Sequence, residues 1–280
     1  MARFASYDGT QIGYCVRGAG PPLVCLPGGP GRAAEYLGDL GGLSAHRQLV
    51  LLDHRGTGAS GTPADVASYR CDRLVDDVEA LRAHLGLARM DLLGHSAAGN
   101  IVTLYAARHP HRLGRVVLLT PSLRAVGIEV TEDEVLAAVR RRSGEPWYAE
   151  AYAALMAQDA GEDTPHNRFK AAPLFYGRWD DDIARHAASD VEQRSSTAAA
   201  HFAAAGAFDP EPTRAALAEV TAPVLVYAGQ LDPAPTPPRA GELAALFARG
   251  ELVVQPGAGH FPWLDDPVWF VGAISRFLDA

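Results

Sequence analysis

The stretch Met90-Asp91-Leu92-Leu93-Gly94-His95-Ser96-Ala97-Ala98-Gly99-Asn100-Ile101-Val102-Thr103-Leu104-Tyr105-Ala106-Ala107 decides the fold. Its apolar opening reads as a buried strand, its centre as a tight turn on Ser96, and its close as a helix, the arrangement of a nucleophile elbow. Such a turn sets a hydroxyl at the C-terminal end of a strand, above a helix N-terminus. The dipole and free N–H groups there favour developing negative charge. The pattern is G-x-S-x-G with Ala98 at the second glycine position. Small residues flank Ser96 because the turn crowds strand against helix, and a methyl group is the smallest possible intrusion. A Gly-x-Ser-x-small match alone arises often by chance, so its context carries the weight.

On both sides of this stretch, short apolar runs alternate with helical patterns. Phe4–Tyr7 and Gln11–Arg17 read as a hairpin around an Asp8-Gly9 turn. Leu23–Leu26, Gln48–Asp53, Met90–Leu93 and Arg115–Leu119 read as buried strands. Between them Leu74, Val75, Val78, Leu81 and Leu85 recur at helical spacing, and that helix stops at Gly86. Strands alternating with helices predict a parallel sheet with right-handed crossovers. From about Ser122 to Pro212 no strand-like run occurs, only alanine-rich helical segments and the aromatics Trp147, Tyr148, Tyr152, Phe169, Phe175, Tyr176 and Trp179. After Pro223 the alternation resumes with strand Val224–Ala228, a helix near Pro238–Ala248, strand Glu251–Gln255 and a final helix Pro267–Leu278. The expectation is an α/β sheet domain of residues 1–121 and 213–280, interrupted by a helical insertion over 122–212. That insertion is too long for a structureless loop.

The composition agrees with one globular chain. Of 280 residues 48% are hydrophobic and 21% charged, which excludes a disordered protein. A formal net charge of -8 without a basic stripe argues against nucleic acid as a partner. The N-terminus shows no apolar signal region, no run is long enough to span a bilayer, and no membrane role is expected. Cys15, Cys25 and Cys71 form an odd, scattered set without metal-ligand spacing, which reads as reduced thiols of a cytoplasmic protein. Lys170 is the only lysine among 25 basic side chains, so a serine–lysine or Schiff-base mechanism has little to draw on.

A serine nucleophile needs a base to take its proton, and the base needs a group to orient it. The resumed strands supply both. Val224–Gly229 leads into Gln230-Leu231-Asp232, and Leu252–Gln255 leads into Pro256-Gly257-Ala258-Gly259-His260. In a parallel sheet ligands bind outside the carboxyl ends of strands, and Ser96, Asp232 and His260 all fall at such ends. Singly they are commoner as a turn serine, a helix cap and a loop histidine; their shared placement and chain order set them apart. In this reading His260 takes the Ser96 proton while Asp232 fixes the imidazole tautomer. The N–H of Ala97 is one oxyanion donor. The glycine loop Pro27-Gly28-Gly29-Pro30-Gly31 supplies the second from Gly29, since glycines let backbone N–H groups approach a substrate. His54, His95, His109 and His111 read as structural.

These residues resemble the α/β-hydrolase superfamily, and within it the prolyl aminopeptidase (proline iminopeptidase) branch. The resemblance rests on Pro27-Gly28-Gly29-Pro30-Gly31, Asp53-His54-Arg55-Gly56-Thr57-Gly58-Ala59-Ser60, the elbow at Ser96, and Asp232 with His260. It implies an α/β-hydrolase fold, a mostly parallel sheet flanked by helices with an inserted helical cap, and no metal or cofactor. Three departures bear on substrate. His54 stands where the branch has glutamine, the elbow reads Gly94-His95-Ser96-Ala97-Ala98 where the branch commonly has Gly-Gly-Ser-Trp-Gly, and no stretch matches the cap glutamates that bind a substrate's free amino group. Glu150 and Glu192 are the stand-ins. The expected activity is hydrolysis of an ester or amide acyl bond in a small-molecule or short-peptide substrate through an acyl-enzyme. Acid–base lyase chemistry on the same fold, or a catalytically silent binding protein, are the alternatives.

Overall fold

The computed structural model describes residues 1–280. Eight strands form one sheet: β1 (Ala2–Ala5), β2 (Gln11–Arg17), β3 (Pro22–Leu26), β4 (Gln48–Leu52), β5 (Met90–His95), β6 (Leu113–Leu119), β7 (Val224–Gly229) and β8 (Gly250–Gln255). Their spatial order is β1-β2-β4-β3-β5-β6-β7-β8. β1 and β2 run antiparallel to each other, β2 runs antiparallel to β4, and every later pairing is parallel. The central strands are apolar throughout because both their faces are covered. Val24, Leu26, Val50, Leu52, Leu92, Val116 and Leu118 point to one core, and the intervening Leu23, Cys25, Leu49, Leu51, Leu93, Val117 and Leu119 to the other. That division follows the two-residue period of a strand.

The first core is closed by helices α1 (Cys71–His84) and α2 (Ala98–Arg108), whose buried stripes include Leu74, Val78 and Leu81 on α1 and Ile101, Val102 and Tyr105 on α2. The second is closed by the last helix of the chain, Pro267–Asp279, through Phe270, Ile274 and Phe277. That helix starts sharply because the Asp266 carboxylate accepts from Trp269 N at 3.0 Å and Pro267 has no N–H that needs an acceptor in the first turn.

The mostly parallel sheet and its flanking helices are as expected from the sequence, with small shifts at element ends. The clearest is β1, which closes at Ala5 and not at Tyr7. Ser6 is buried with its hydroxyl donated to Asp77 Oδ1, and the turn is closed by Ser6 N to Thr10 O at 2.9 Å. Side-chain anchoring of Ser6 wins over the apolar signal of Tyr7, which is left outside the strand.

Between β6 and β7 the chain is helical. It runs through α3 (Glu132–Arg140), α4 (Tyr148–Asp159), α5 (Pro165–Ala171), α6 (Asp181–Ala188), α7 (Asp190–Gln193), α8 (Ser196–Phe202) and α9 (Pro210–Leu217). Caps written in the sequence start four of these helices, α3, α5, α6 and α8. Thr131 and Glu134 form a capping box, and Thr164, Asp180 and Ser195 each accept from a first-turn N–H. α3, α4 and α5 share a small core of their own, built on Leu136, Val139, Leu155 and Leu174. α9 straddles the expected junction at 212/213, and its Leu217 belongs to the core under α2. No helix is long and apolar enough to cross a membrane.

Candidate active site

The elbow takes the shape its small residues allow. Ser96 stands at φ 56, a left-handed conformation that costs an L-residue about 1–2 kcal/mol. Backbone hydrogen bonds offset that cost: Ser96 N donates to Leu119 O at 3.0 Å, while Ser96 O accepts from Gly99 N and Ser122 N, both at 2.8 Å. Each contributes about 1 kcal/mol, so together they outweigh the cost of the turn. A Cβ on Gly94 would meet Val102 Cγ2 at 2.5 Å, and one on Gly99 would meet Pro121 Cβ at 2.4 Å. Ala98 is fully buried, and its methyl group fits where the second glycine of the motif was expected.

The structure brings Ser96, His260 and Asp232 together. His260 Nε2 lies 2.8 Å from Ser96 Oγ, and His260 Nδ1 lies 2.7 Å from Asp232 Oδ2. Asp232 is fully buried, and its second oxygen accepts from Ala234 N at 3.0 Å. The glycine loop lies against the elbow: a Cβ on Gly28 would come within 2.6 Å of Ser96 Cβ. Gly29 and Ala97, the two expected oxyanion donors, follow at this junction, and neither N–H donates to a protein acceptor.

Several groups that hold this constellation are not apparent from the sequence. Gly28 N donates to Tyr36 Oη at 2.7 Å, so the Tyr36 proton points to His95 Nδ1, also at 2.7 Å. His95 Nε2–H then donates to His260 O at 2.9 Å. This chain ties the glycine loop to the histidine loop. It needs His95 neutral, and complete burial pushes the His95 pKa well below the usual imidazole value. The sequence reads His95 as structural, and the structure gives it partners in Tyr36 and the His260 loop. Tyr36 itself is placed by the Asp53 motif: the Asp53 carboxylate accepts from Ala34 N and Ala59 N, both at 2.8 Å, fixing the turn that carries Tyr36. On the other side His260 N donates to Phe175 O at 2.7 Å. Asp265 accepts from Gly259 N at 2.8 Å and from Gly177 N at 2.9 Å. The inserted segment therefore holds the histidine loop directly.

A cavity of about 280 Å³ opens over Ser96 and His260. Phe169, Phe175 and Phe261 give it apolar surface, and Arg32, Arg168, Arg194 and Asp190 give it charge. Two expectations are corrected here. Glu150 is exposed and pairs with Lys170 Nζ at 2.6 Å, and Glu192 is exposed on α7; neither lines the cavity. Glu150 points into water from the first turn of α4, and Glu192 does so from the short helix α7. Of the seven aromatics noted in the insertion, Phe169, Phe175 and Tyr176 line the cavity, while Trp147, Tyr148 and Tyr152 pack the insertion's own core.

The buried histidines make stability depend on pH. Burial, with the nearby positive charge of Arg32, lowers the His186 pKa to about 4, and Tyr176 Oη and Tyr36 O bind its two nitrogens. His54 is shifted downward by burial too. A depressed histidine pKa means the unfolded chain binds more protons between the folded value and the ordinary value of about 6.5. Stability is therefore full above pH 6.5 and falls as the pH drops toward 4. His186 alone accounts for roughly 3 kcal/mol of this across the window. Chemical denaturation at pH 7.5 and pH 5 is expected to show a clearly lower midpoint at pH 5. Equal midpoints would contradict the buried neutral state of these rings.

Comparison with known proteins agrees with this architecture. The family model described as alpha/beta hydrolase fold matches residues 21–267. A proline iminopeptidase of Heyndrickxia coagulans is 24% identical over 274 residues, covering 94% of this chain and 92% of that protein. Among solved structures, an esterase from Exiguobacterium antarcticum superposes with a TM-score of 0.76 at 20% identity, covering 99% of both chains. A proline iminopeptidase from Mycobacterium smegmatis superposes with a TM-score of 0.74 at 25% identity, covering 99% of this chain and 98% of that one.

Proposed function

Because the chain belongs to the α/β-hydrolase family, we propose that it is a serine hydrolase acting through Ser96, His260 and Asp232 on a small carboxylic ester or lactone. The observation that carries this is the unbroken hydrogen-bonded line from Ser96 Oγ through the His260 ring to the buried Asp232 carboxylate. His260 Nε2 accepts the Ser96 proton as Oγ attacks the substrate carbonyl, and Asp232 holds Nδ1–H and stabilises the imidazolium that forms. The oxyanion that develops accepts from Ala97 N–H and Gly29 N–H, donors already fixed by the elbow and the Tyr36-bonded loop. Collapse of the tetrahedral adduct returns the proton from His260 to the leaving alcohol. Water then repeats the sequence on the acyl-enzyme.

Residues 122–212 act as the cap of this site, holding the histidine loop through Phe175 O and walling the cavity with α5 to α7. An ester is favoured over an N-terminal prolyl peptide because no unpaired carboxylate lines the cavity to receive an ammonium group. Asp190, the only acidic lining residue, is already bonded by Arg194. Purified wild-type and Ser96→Ala proteins are to be compared on a short-chain aryl ester, prolyl anilide and N-acetylprolyl anilide. Ester cleavage confined to wild type supports the reading. Cleavage of the free-amine anilide alone would make it an aminopeptidase, and no cleavage of any would overturn hydrolysis.

A further inference from the structure

We propose that the substrate carries a carboxylate and that Arg168 binds it; this rests on the serine-hydrolase reading above and names its substrate class. The cavity holds three guanidinium groups and one carboxylate, a net of two positive charges, in a chain whose net charge is -8. Two of the three arginines are committed to protein acceptors. Arg194 binds both oxygens of Asp190, at 2.8 and 2.7 Å, and gives Nη1 to Gly29 O and Pro30 O. Arg32 lies over the Tyr36 ring, donates Nε to Gln193, and donates Nη2 to Ser189 Oγ and His186 O.

Arg168 differs. Its Nη1 goes to Asp163, where it meets the backbone oxygen and one carboxylate oxygen, each at 3.0 Å. Its Nε is buried without a hydrogen-bond acceptor, 3.6 Å from the nearest Asp190 oxygen, and its Nη2 donates to no protein group. Nε is covered by protein and faces the Asp190 carboxylate, so Nη2 is the guanidinium nitrogen left for a ligand oxygen. Arg168 lines the same cavity as Ser96, from the inserted segment, with Phe169 and Phe175 beside it as apolar surface. An anionic ligand gives Nη2 the acceptor it lacks and is favoured by the net positive charge of the cavity. A cationic ligand meets repulsion and no free acceptor carboxylate.

The test uses matched ester pairs: para-nitrophenyl hydrogen glutarate against para-nitrophenyl pentanoate, and para-carboxyphenyl butyrate against para-carbamoylphenyl butyrate. Each pair changes charge at nearly constant size, with the carboxylate on the acyl side in the first and on the alcohol side in the second. Wild type is expected to prefer the anionic member of at least one pair in kcat/KM by about tenfold to a hundredfold, the range of a charged hydrogen bond. In Arg168→Gln the same ratio falls toward one, and Arg168→Lys recovers part of it. Calorimetric binding of the same esters to Ser96→Ala protein reads the anion site without turnover. Equal kcat/KM within both pairs and equal binding would overturn the carboxylate assignment and leave the hydrolase reading standing. Anion-selective binding that depends on Arg168, with no Ser96-dependent turnover, would overturn the hydrolase reading alone.

Discussion

Ser96→Ala is expected to lower ester turnover by about a millionfold, the loss seen when a nucleophilic serine that works as a unit with its histidine is removed. The reason is local. Only the Ser96 hydroxyl sits 2.8 Å from His260 Nε2, at the apex of a turn whose Ala97 N–H donates to no protein acceptor. Alanine keeps the backbone, and the bonds from Ser96 N and to Ser96 O involve no side-chain atom. The variant should therefore fold with an unchanged circular dichroism spectrum and still bind ester. A variant with more than a few per cent of wild-type kcat would place the nucleophile elsewhere. A variant that fails to fold would mean the hydroxyl has a structural role for which the hydrogen bonds give no indication.

The second large effect is expected of Asp232→Asn, which should reduce kcat by about ten-thousandfold. Asparagine has the same shape, and its carbonyl oxygen can keep the bond from Ala234 N now made by Asp232 Oδ1. Its amide nitrogen then faces His260 Nδ1, where Asp232 Oδ2 stands at 2.7 Å. Facing a donor, Nδ1 becomes the acceptor, so the ring proton moves to Nε2 and the base can no longer take the Ser96 proton. Asp232 is fully buried, and a neutral isostere there removes a charge that is expensive to bury, so loss of activity should come without loss of stability. Kinetics with a parallel denaturation curve check both parts. Near-normal kcat would show that another group orients His260.

The strands of the central sheet are legible because burial on both faces writes them as continuous apolar runs, from Leu23–Leu26 to Val224–Ala228. The elbow is legible because its geometry excludes all but small residues on either side of Ser96. Asp232 and His260 can be picked out because each follows a strand end, although His260 lies 164 positions from Ser96. The groups that were not apparent share one property: their roles exist only once distant segments meet. Tyr36 looks like any aromatic until its hydroxyl reaches Gly28 N and His95 Nδ1. Asp265 looks like any acidic residue near a helix start until it spans Gly259 and Gly177. Glu150 and Glu192 show the opposite error, residues of the right chemical type on a surface that faces away from the cavity. The cavity arginines carry no spacing motif, because Arg32 and Arg168 come from opposite halves of the fold. The charge of the cavity is thus set by tertiary packing.

The most direct test of the central claim is covalent labelling with a fluorophosphonate, followed by intact mass and peptide mapping of wild-type and Ser96→Ala proteins. An activated Ser96 predicts one adduct per wild-type chain, located on the peptide that contains Ser96, and none on the variant. An unlabelled wild-type chain, or an adduct that survives in Ser96→Ala, would contradict the assignment of Ser96 as the nucleophile.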